Sequence, residues 1–316
     1  MAPGENAERM RRVGIVSNVR PGDPWQRFPA YKKALADLGW IEGRNIAFEY
    51  RTIDDPAKRP AIARELVSLN LDVIVANSTP DTEALLAATR TIPVVFSTAA
   101  DPVGNGFVES LARPGRNATG FTNSDATMSP KWLEFLKEIA PRVTRIAALF
   151  NPITAPRRGE YYLEPLRAAA PSFGLTLEML AVGTTAEIDT AVASLAGDPP
   201  GGLLVLPDSF LVLHRRVVID AAARHKVPAI YPFRYFSDEG GLISYGALVG
   251  AQSRETSRTI VETIRYVDLI LRGTSPAELP VQSPRVYELL VNAKTAAALG
   301  LEIPEVLVAR ADQIFE

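Results

Sequence analysis

The stretch VIVANSTPDTEALLAATRTIPVVFST, residues 73–98, decides the fold. It begins with a β-branched run over 73–76, continues with helical spacing over 80–88, and returns to an apolar run over 93–98. Pro80 stands in the first turn of the helix, which accepts proline because that position has no intrahelical N–H bond to lose. A strand, a helix and a second strand in this order predict a βαβ unit, whose two strands belong to a parallel sheet.

The same alternation extends in both directions along the chain. In the first part, the pattern predicts further strands at 13–18, 45–51 and 118–122, and further helices at 24–38, 56–69 and 104–111. In the second part, it predicts strands at 145–150, 176–182, 202–206, 229–231 and 242–244, and helices at 160–170, 185–195 and 211–225. A small, polar, aperiodic stretch at 121–129 separates the two parts. The sequence therefore predicts an α/β protein with two similar Rossmann-like lobes built on parallel sheets.

The end of the chain departs from this rhythm. A long amphipathic helix is predicted at 252–272, and Gly273 is expected to end it as a left-handed C-cap. The Pro-rich connector TSPAELPVQSP follows, and after it come a predicted strand at 286–292 and a short helix at 294–299.

The composition argues against several classes of function. The chain has 316 residues, with 34 Lys and Arg against 36 Asp and Glu, so it lacks the basic excess that indicates nucleic-acid binding. It has no Cys and 2 His, which leaves little material for a metal site, a Cys nucleophile or a His-based triad. Walker-type phosphate loops and the G-x-S-x-G and H-E-x-x-H motifs are absent from the sequence. We therefore expect a protein that is not an enzyme and that holds no metal or cofactor.

The start of the sequence bears on the compartment. MAPGENAERMRR is polar and lacks the apolar core of a secretory signal, and no segment has the apolar length that spans a bilayer. We expect a soluble chain that is either cytosolic or the mature form of an exported protein whose leader has been removed.

Two loops of the first part carry chemistry suited to a carboxylate. In open parallel sheets, ligands bind at the carboxyl ends of the strands, where helix N-termini and free N–H groups converge. Ser78 and Thr79 precede a predicted helix, and Thr98 and Ala99 end the next strand. A helix N-terminus with hydroxyl groups binds a carboxylate without Lys. The alternative is that Ser78 and Thr79 only cap their helix and that Asp101 begins a turn.

The remaining strand ends supply a second set of candidates. Asp208 either receives an ammonium group or caps the next helix, and both roles stay open. Asn151 either hydrogen-bonds a ligand or forms a turn before a proline. Aromatic side chains suit a planar ligand body, and arginines suit a carboxylate. The further candidates from these loops are Ser17, Arg20, Trp25 and Phe233, with Arg157, Arg158 and Arg234 as weaker ones.

Several long stretches resemble one known family. They are ALADLGWIEGRNIAFEYR at 34–51, the segment at 73–121 with its DPVG and N-x-T-G motifs, GGLISYG at 240–246, and the segment at 269–312 with its AALGLEIP motif. In these residues the chain resembles the ABC transporter substrate-binding protein family, whose better-known members bind tryptophan, tyrosine or phenylalanine. The resemblance implies the type I periplasmic-binding-protein fold, with two lobes joined by a three-segment hinge.

The resemblance also implies the division of the chain and its partners. The N-terminal lobe is expected to comprise 12–122 plus 248–275, and the C-terminal lobe 123–247 plus 280–316. A solute is expected to be trapped between the closing lobes and passed to permease subunits in the membrane. A periplasmic monomer without a nucleic-acid partner follows from the same resemblance.

Carried over position by position, the ligand loops of the family fall on Ser78, Thr79, Thr98, Ala99, Asn151, Asp208 and Tyr245. The first lobe is expected to bind the carboxylate of an aromatic or branched amino acid, and an acid of the second lobe its ammonium group. A non-amino-acid aromatic or another small carboxylate is the alternative solute, because the loops SNVRPGDPWQRF and NPITAPRRGEYY depart from the relatives.

Two other classes of function stay open. One is the ligand-sensing effector domain of a transcription regulator, although the residues before Val13 are too few for a helix-turn-helix. The other is an α/β enzyme that uses Asp101 or Asp208 as a base.

Overall fold

Two units, each built on its own sheet, make up the chain. In a computed structural model, the structure describes residues 9–17, 27–198, 200–247 and 254–316. The first unit comprises Met1–Asn123 and Ala251–Ser283, and the second comprises Ser124–Gly250 and Pro284–Glu316. The chain therefore passes from one unit to the other three times.

The first unit has a parallel sheet of five strands in the order β2-β1-β3-β4-β5. Its elements in chain order are β1 (Arg11–Ser17), α1 (Phe28–Asp37), β2 (Ile46–Thr52), α2 (Arg59–Ser68), β3 (Val73–Ala76), α3 (Thr79–Ala88), β4 (Val94–Ala99) and β5 (Ala118–Thr122). Strands β1, β2 and β4 were predicted to within two residues at each end, and β3 and β5 were predicted at their observed bounds. The βαβ interpretation of residues 73–98 is confirmed.

The second unit has a sheet of seven strands in the order β12-β11-β10-β9-β8-β6-β7. Its elements before the chain returns to the first unit are α4 (Ser129–Ile139), β6 (Arg145–Phe150), α5 (Glu160–Ala169), β7 (Thr176–Ala181), α6 (Thr185–Ala193), β8 (Gly202–Val205), α7 (Ser209–Leu213), α8 (Arg215–Arg224), β9 (Ala229–Tyr231), α9 (Arg234–Asp238) and β10 (Ile243–Ala247).

The last part of the chain contributes to both units. Helix α10 (Arg254–Leu271) packs on the first unit and ends before Gly273, whose φ of 106° is the predicted left-handed C-cap conformation. The second unit is then completed by β11 (Tyr287–Asn292), α11 (Ala293–Ala298), α12 (Glu305–Arg310) and β12 (Gln313–Phe315). Strand β11 runs antiparallel to β10, while the other neighbouring strands of both sheets are parallel. The predicted α/β class with mostly parallel sheets is confirmed.

Alternation along the strands of the first unit divides its core between the two faces of the sheet. Val13 and Ile15 pack with residues of α1 and α10, whereas Val16 and Ile74 pack with residues of α2 and α3. Trp40 adds a polar tie on the first face, because its indole Nε1 donates to Asp268 of α10 at 2.8 Å. Helices therefore cover both faces, and the carboxyl ends of the strands are left as the edge on which loops can carry function.

Three expectations about individual helices need correction. The helix predicted at 104–111 is wrong, since this segment consists of turns. Asp101 has a φ of 45° and its Oδ1 accepts from the Gly104 N–H, while the Asn105 amide donates to the Ala100 carbonyl. These local side-chain bonds, together with the glycines, compete with a helix.

The helix predicted at 211–225 is two helices, α7 and α8, which meet at His214. Helix α4 was not predicted. It begins at Ser129, the last residue of the polar stretch 121–129 that was interpreted as the junction between the lobes. None of the helices in the described part of the chain combines the length and the apolar character needed to cross a membrane.

Candidate functional site

In the first unit, Asn77 holds the carboxyl ends of three neighbouring strands together. Its Oδ1 accepts from the Tyr31 hydroxyl at 2.9 Å and from the Ser97 hydroxyl, and its Nδ2 donates to the Val16 carbonyl at 2.9 Å. The Asn77 carbonyl in turn accepts from the Thr98 hydroxyl. An amide can do this because it both donates and accepts hydrogen bonds. The edge is therefore joined by a neutral side chain.

The two predicted hydroxyl loops lie side by side at this edge. Ser78 is the N-cap of α3, and its Oγ accepts from the Asp81 N–H at 3.2 Å. Thr79 reaches across to the next loop, where its Oγ1 accepts from the Ala100 N–H at 2.9 Å. Ser78 therefore caps its helix, which was one of the two alternatives, and Thr79 bonds to the loop that follows Thr98 and Ala99.

A buried ion pair lies beneath these loops. Arg59 of α2 donates from Nε to Asp81 Oδ1 at 2.8 Å, and both side chains are buried. Burial raises the pKa of Asp81, while Arg59 and a hydrogen bond with Ser78 act in the opposite direction. The charge of Asp81 is thus matched within the protein, and this acid supports the first turn of α3.

In the second unit, the buried carboxylate of Asp208 joins the ends of β6 and β8. Its Oδ1 accepts from the Leu211 N–H at 2.8 Å and from the Thr154 hydroxyl at 3.1 Å, and its Oδ2 accepts from the Asn151 N–H at 2.8 Å. Burial raises the pKa of Asp208 from 3.8 to about 6, and the hydrogen bonds that it accepts oppose that shift. Asp208 therefore caps α7 and fixes the loop after β6.

Asn151 shapes the same loop from within. Its Oδ1 accepts from the N–H groups of Ile153, at 2.8 Å, and of Thr154, at 3.1 Å, which is an Asx turn. The predicted residues Asn151 and Asp208 are therefore in direct contact, and part of the chemistry of each is used to hold the other.

The loop continues into an unusual backbone conformation. Arg157 and Arg158 have φ values of 48° and 58°, and Gly159 has 94°, so three consecutive residues are left-handed. Arginine rarely adopts this conformation, because its Cβ crowds the backbone. Both arginines are exposed, in contrast to their buried neighbours Pro156 and Gly159.

Aromatic residues surround the ends of β9 and β10. Phe233 is buried at the N-cap of α9, with its ring centroid 5.4 Å from that of Tyr235. Tyr245 contacts Phe135 at 4.9 Å and stacks on Tyr287 at 6.0 Å between ring centroids. Of the predicted aromatic residues, Tyr245 is the half-buried one that keeps ring surface exposed.

The other predicted residues have simpler positions. Ser17 ends β1, where its carbonyl accepts from the Ile53 N–H at 2.8 Å, and Ala99 ends β4. Arg20 and Trp25 lie outside the described residues. Arg234 is engaged by Glu288 at 3.2 Å and by Gln313, so its charge is shared with β11 and β12. Within the described ranges, no group of three or more His, Asp or Glu side chains is placed to hold a metal ion.

The sequence interpretation missed the role of Asn77 and the conformation of the arginine pair. Asn77 stood next to two hydroxyl residues that looked like ligand donors, and the one available signal was an amide directly after a buried strand. For Arg157 and Arg158 the signal was Gly159, which marks a left-handed turn without showing how far it extends.

Comparison with known proteins gives consistent results. The family model described as ABC transporter substrate binding protein matches residues 26–315. A tyrosine-binding protein of Clostridioides difficile (strain R20291) is 28% identical over 300 residues, which is 94% of this chain and 83% of that protein.

Two solved structures extend the likeness. A conserved domain protein of Vibrio cholerae O1 biovar El Tor matches with a TM-score of 0.85 and 30% identity, over 97% of this chain and 100% of that one. An ABC domain from Streptococcus pneumoniae in complex with L-Trp matches with a TM-score of 0.83 and 24% identity, over 97% and 100% of the two chains. The likeness to the Streptococcus pneumoniae domain, at 24% identity, shows the fold alone.

Proposed function

The chain belongs to the family of ABC transporter substrate binding proteins, and on that premise we propose that its solute is an aromatic or branched amino acid. The tyrosine-binding relative, which aligns with 94% of this chain, supports an amino acid as the solute. We further propose that the protein acts as a periplasmic monomer and passes the solute to permease subunits in the membrane.

The observation that carries the proposal is the pair of hydroxyl loops at one edge of the first sheet. Ser78 and Thr79 stand at the N-terminus of α3, and Thr98 ends the neighbouring strand. Backbone N–H groups and the hydroxyl protons of Ser78 and Thr79 suit a carboxylate, which gains from the partial positive charge of the helix N-terminus. The Thr98 hydroxyl donates to the Asn77 carbonyl and so helps to hold the two loops together. Asn77, which we call the neutral hub of this edge because it connects three strands, adds no negative charge that would repel the solute carboxylate.

In the second unit, we propose that Asp208 takes the ammonium group of the solute. A carboxylate has about four acceptor positions, and the protein uses two on Oδ1 and one on Oδ2. The Phe210 backbone N–H also bonds to this carboxylate, so the ammonium group would join several neutral donors around one negative charge. Bound solute would shift the protein toward the conformation that binds it more tightly, because only a difference in affinity between two conformations can change their populations.

Binding to purified protein tests the proposal. We expect L-tyrosine, L-tryptophan, L-phenylalanine or L-leucine to raise Tm and to give stoichiometric binding by calorimetry, because a ligand that binds only the folded state stabilises it. The corresponding acids without the amino group are the matched controls, and they are expected to bind at least roughly tenfold more weakly.

Binding of the des-amino acids alone would overturn the amino acid assignment in favour of another small carboxylate. Turnover of any of these compounds would overturn the transport role in favour of an enzyme.

A further inference from the structure

The left-handed turn after β6 stands out because it costs free energy and yet is held firmly. Two consecutive arginines adopt φ values of 48° and 58°. Side chains other than glycine persist in this conformation only where the surrounding structure imposes it, and such positions cluster at functional sites. The contacts that impose this turn and the side chains that it exposes therefore bear on function.

The turn is fixed from both sides. Upstream, Asp208 and Asn151 lock the Asx turn, and the Ala155 N–H bonds to the Asn151 carbonyl at 2.8 Å. Downstream, Gly159 packs so tightly that a Cβ would lie 2.9 Å from the Phe150 ring and 3.1 Å from Leu163. The backbone of Arg157 and Arg158 between these anchors is therefore imposed by its neighbours.

The guanidinium groups are exposed, and the acid next to them is already engaged. Glu160 accepts from both terminal nitrogens of Arg167, at 2.7 and 2.8 Å, in a bidentate pair. The Arg158 backbone N–H donates to the Ala155 carbonyl at 3.0 Å, while its guanidinium group makes no hydrogen bond or ion pair with any residue in the described ranges. Its charge is therefore available to a partner from outside the unit.

We propose that Arg158 binds a second carboxylate on the solute, so that this protein prefers dicarboxylic solutes. Arg158 lies in the loop that follows β6, and Asn151 at the start of this loop donates to Asp208, the proposed ammonium acceptor, at 2.8 Å. A guanidinium fork matches a carboxylate in a bidentate fashion, and a preorganised backbone reduces the entropy that is lost on binding. This inference rests on the proposed function and narrows its substrate class.

Matched solute pairs test the inference. L-Norvaline and L-glutamate have similar length and differ in the terminal carboxylate, and L-phenylalanine and 4-carboxy-L-phenylalanine differ in the same way. Calorimetry on the full chain is expected to show at least roughly tenfold tighter binding of the dicarboxylate in one of these pairs. In Arg158→Gly, that preference should disappear, while affinity for the monocarboxylate stays within about twofold.

The stability of Arg158→Gly and two further variants separate the effect of charge from that of folding. Arg158→Gly relieves the left-handed strain, so its Tm should not fall, and a loss of preference then cannot be attributed to unfolding. Arg158→Lys keeps the charge without the fork and should retain part of the preference. Arg216→Gln removes another exposed arginine of the same unit and should retain all of it.

The outcomes distinguish this inference from the function on which it rests. Binding of the monocarboxylates without any preference for their dicarboxylate partners would overturn the inference and leave the amino acid proposal standing. A preference that survives in Arg158→Gly would also overturn it. If none of the four compounds binds while L-tyrosine, L-tryptophan or L-leucine does, the inference is wrong and the amino acid proposal stands; if none of these amino acids binds either, both are wrong.

Discussion

The strand ends of the two units are held together by side chains of different charge. In the first unit the neutral amide of Asn77 connects three strands, by accepting from two hydroxyls and donating to a carbonyl. In the second unit the carboxylate of Asp208 connects two strands, by accepting from two N–H groups and a hydroxyl. Both hubs occupy the same kind of edge and consist of one side chain.

The two hubs differ in charge because the backbone and side-chain groups at the two edges need different hydrogen-bond partners. A carbonyl at the end of β1 needs a donor, which an amide supplies and an ionised carboxylate does not. In the second unit, the groups that contact the Asp208 side chain are all hydrogen-bond donors, and one carboxylate can accept from several of them. The consequence is that one hub is indifferent to pH, whereas the other carries a buried charge whose pKa is raised to about 6.

The largest expected effect comes from deleting the charged hub. Asp208→Ala leaves the Leu211 and Asn151 N–H groups and the Thr154 hydroxyl without their acceptor, and it removes the cap of α7. We expect a loss of roughly 4 kcal/mol in the free energy of unfolding, because buried unpaired donors are costly. Urea denaturation measures this loss.

The control for Asp208 is Asp189→Ala. It removes a half-exposed carboxylate that pairs with Arg224, and such pairs contribute less than about 1 kcal/mol. Equal losses in the two variants would show that Asp208 is an ordinary surface acid and would remove it from the comparison.

The next effect is the dependence of stability on pH. The folded state raises the pKa of Asp208 from 3.8 to about 6, so between these values it holds the proton more tightly than the unfolded state does. The stabilising contribution of the protonated carboxyl is therefore complete below pH 3.8 and is lost as the pH rises through about 6. Each pKa unit corresponds to about 1.4 kcal/mol, so the loss amounts to roughly 3 kcal/mol at most.

The difference between wild type and Asp208→Asn isolates this effect. The variant has no titrating group at the hub, so its free energy of unfolding relative to wild type should rise over the same range of pH. Glu288 is present in both proteins, and burial raises its pKa to about 6 as well, so its contribution cancels in the difference. A difference that does not change with pH would contradict the charged character of the hub.

The strands and helices that form the carboxyl-end edge of the first sheet were largely predictable, because strand and helix segments alternate along the sequence with clear hydrophobic periods. The strands of the first unit and the position of α3 followed from β-branched runs and from Pro80. The segment 104–111 was not predictable in this way, because its apolar residues have helical spacing while its glycines and Asn105 favour turns. Local side-chain bonds decided against the periodicity there.

The hydrogen bonds made by the two hubs, Asn77 and Asp208, could not be predicted from the sequence for a different reason. Asp208 was a candidate because it follows an apolar run, where it was expected either to receive an ammonium group or to cap the next helix, and it does cap α7. Asn77 connects Tyr31, Ser97 and the Val16 carbonyl, which are 46, 20 and 61 residues away in the chain. Contacts of this range depend on the register between strands, which a single sequence does not specify.

The smallest of the three effects comes from the neutral hub and sharpens the comparison with the charged one. Asn77→Ala leaves two hydroxyls and one carbonyl without their partner, and hydroxyls can rotate toward other acceptors, so we expect a loss of about 2 kcal/mol. Because no charge is involved, the loss should be the same at about pH 5 and about pH 8. Asn45→Ala is the control, since Asn45 also bonds through both ends of its amide in the same unit, but its hydrogen bonds are exposed whereas those of Asn77 are partly buried. A loss at Asn77 that grows with pH would mean that a titrating group takes part in the first hub, and the contrast between the two units would then be one of degree.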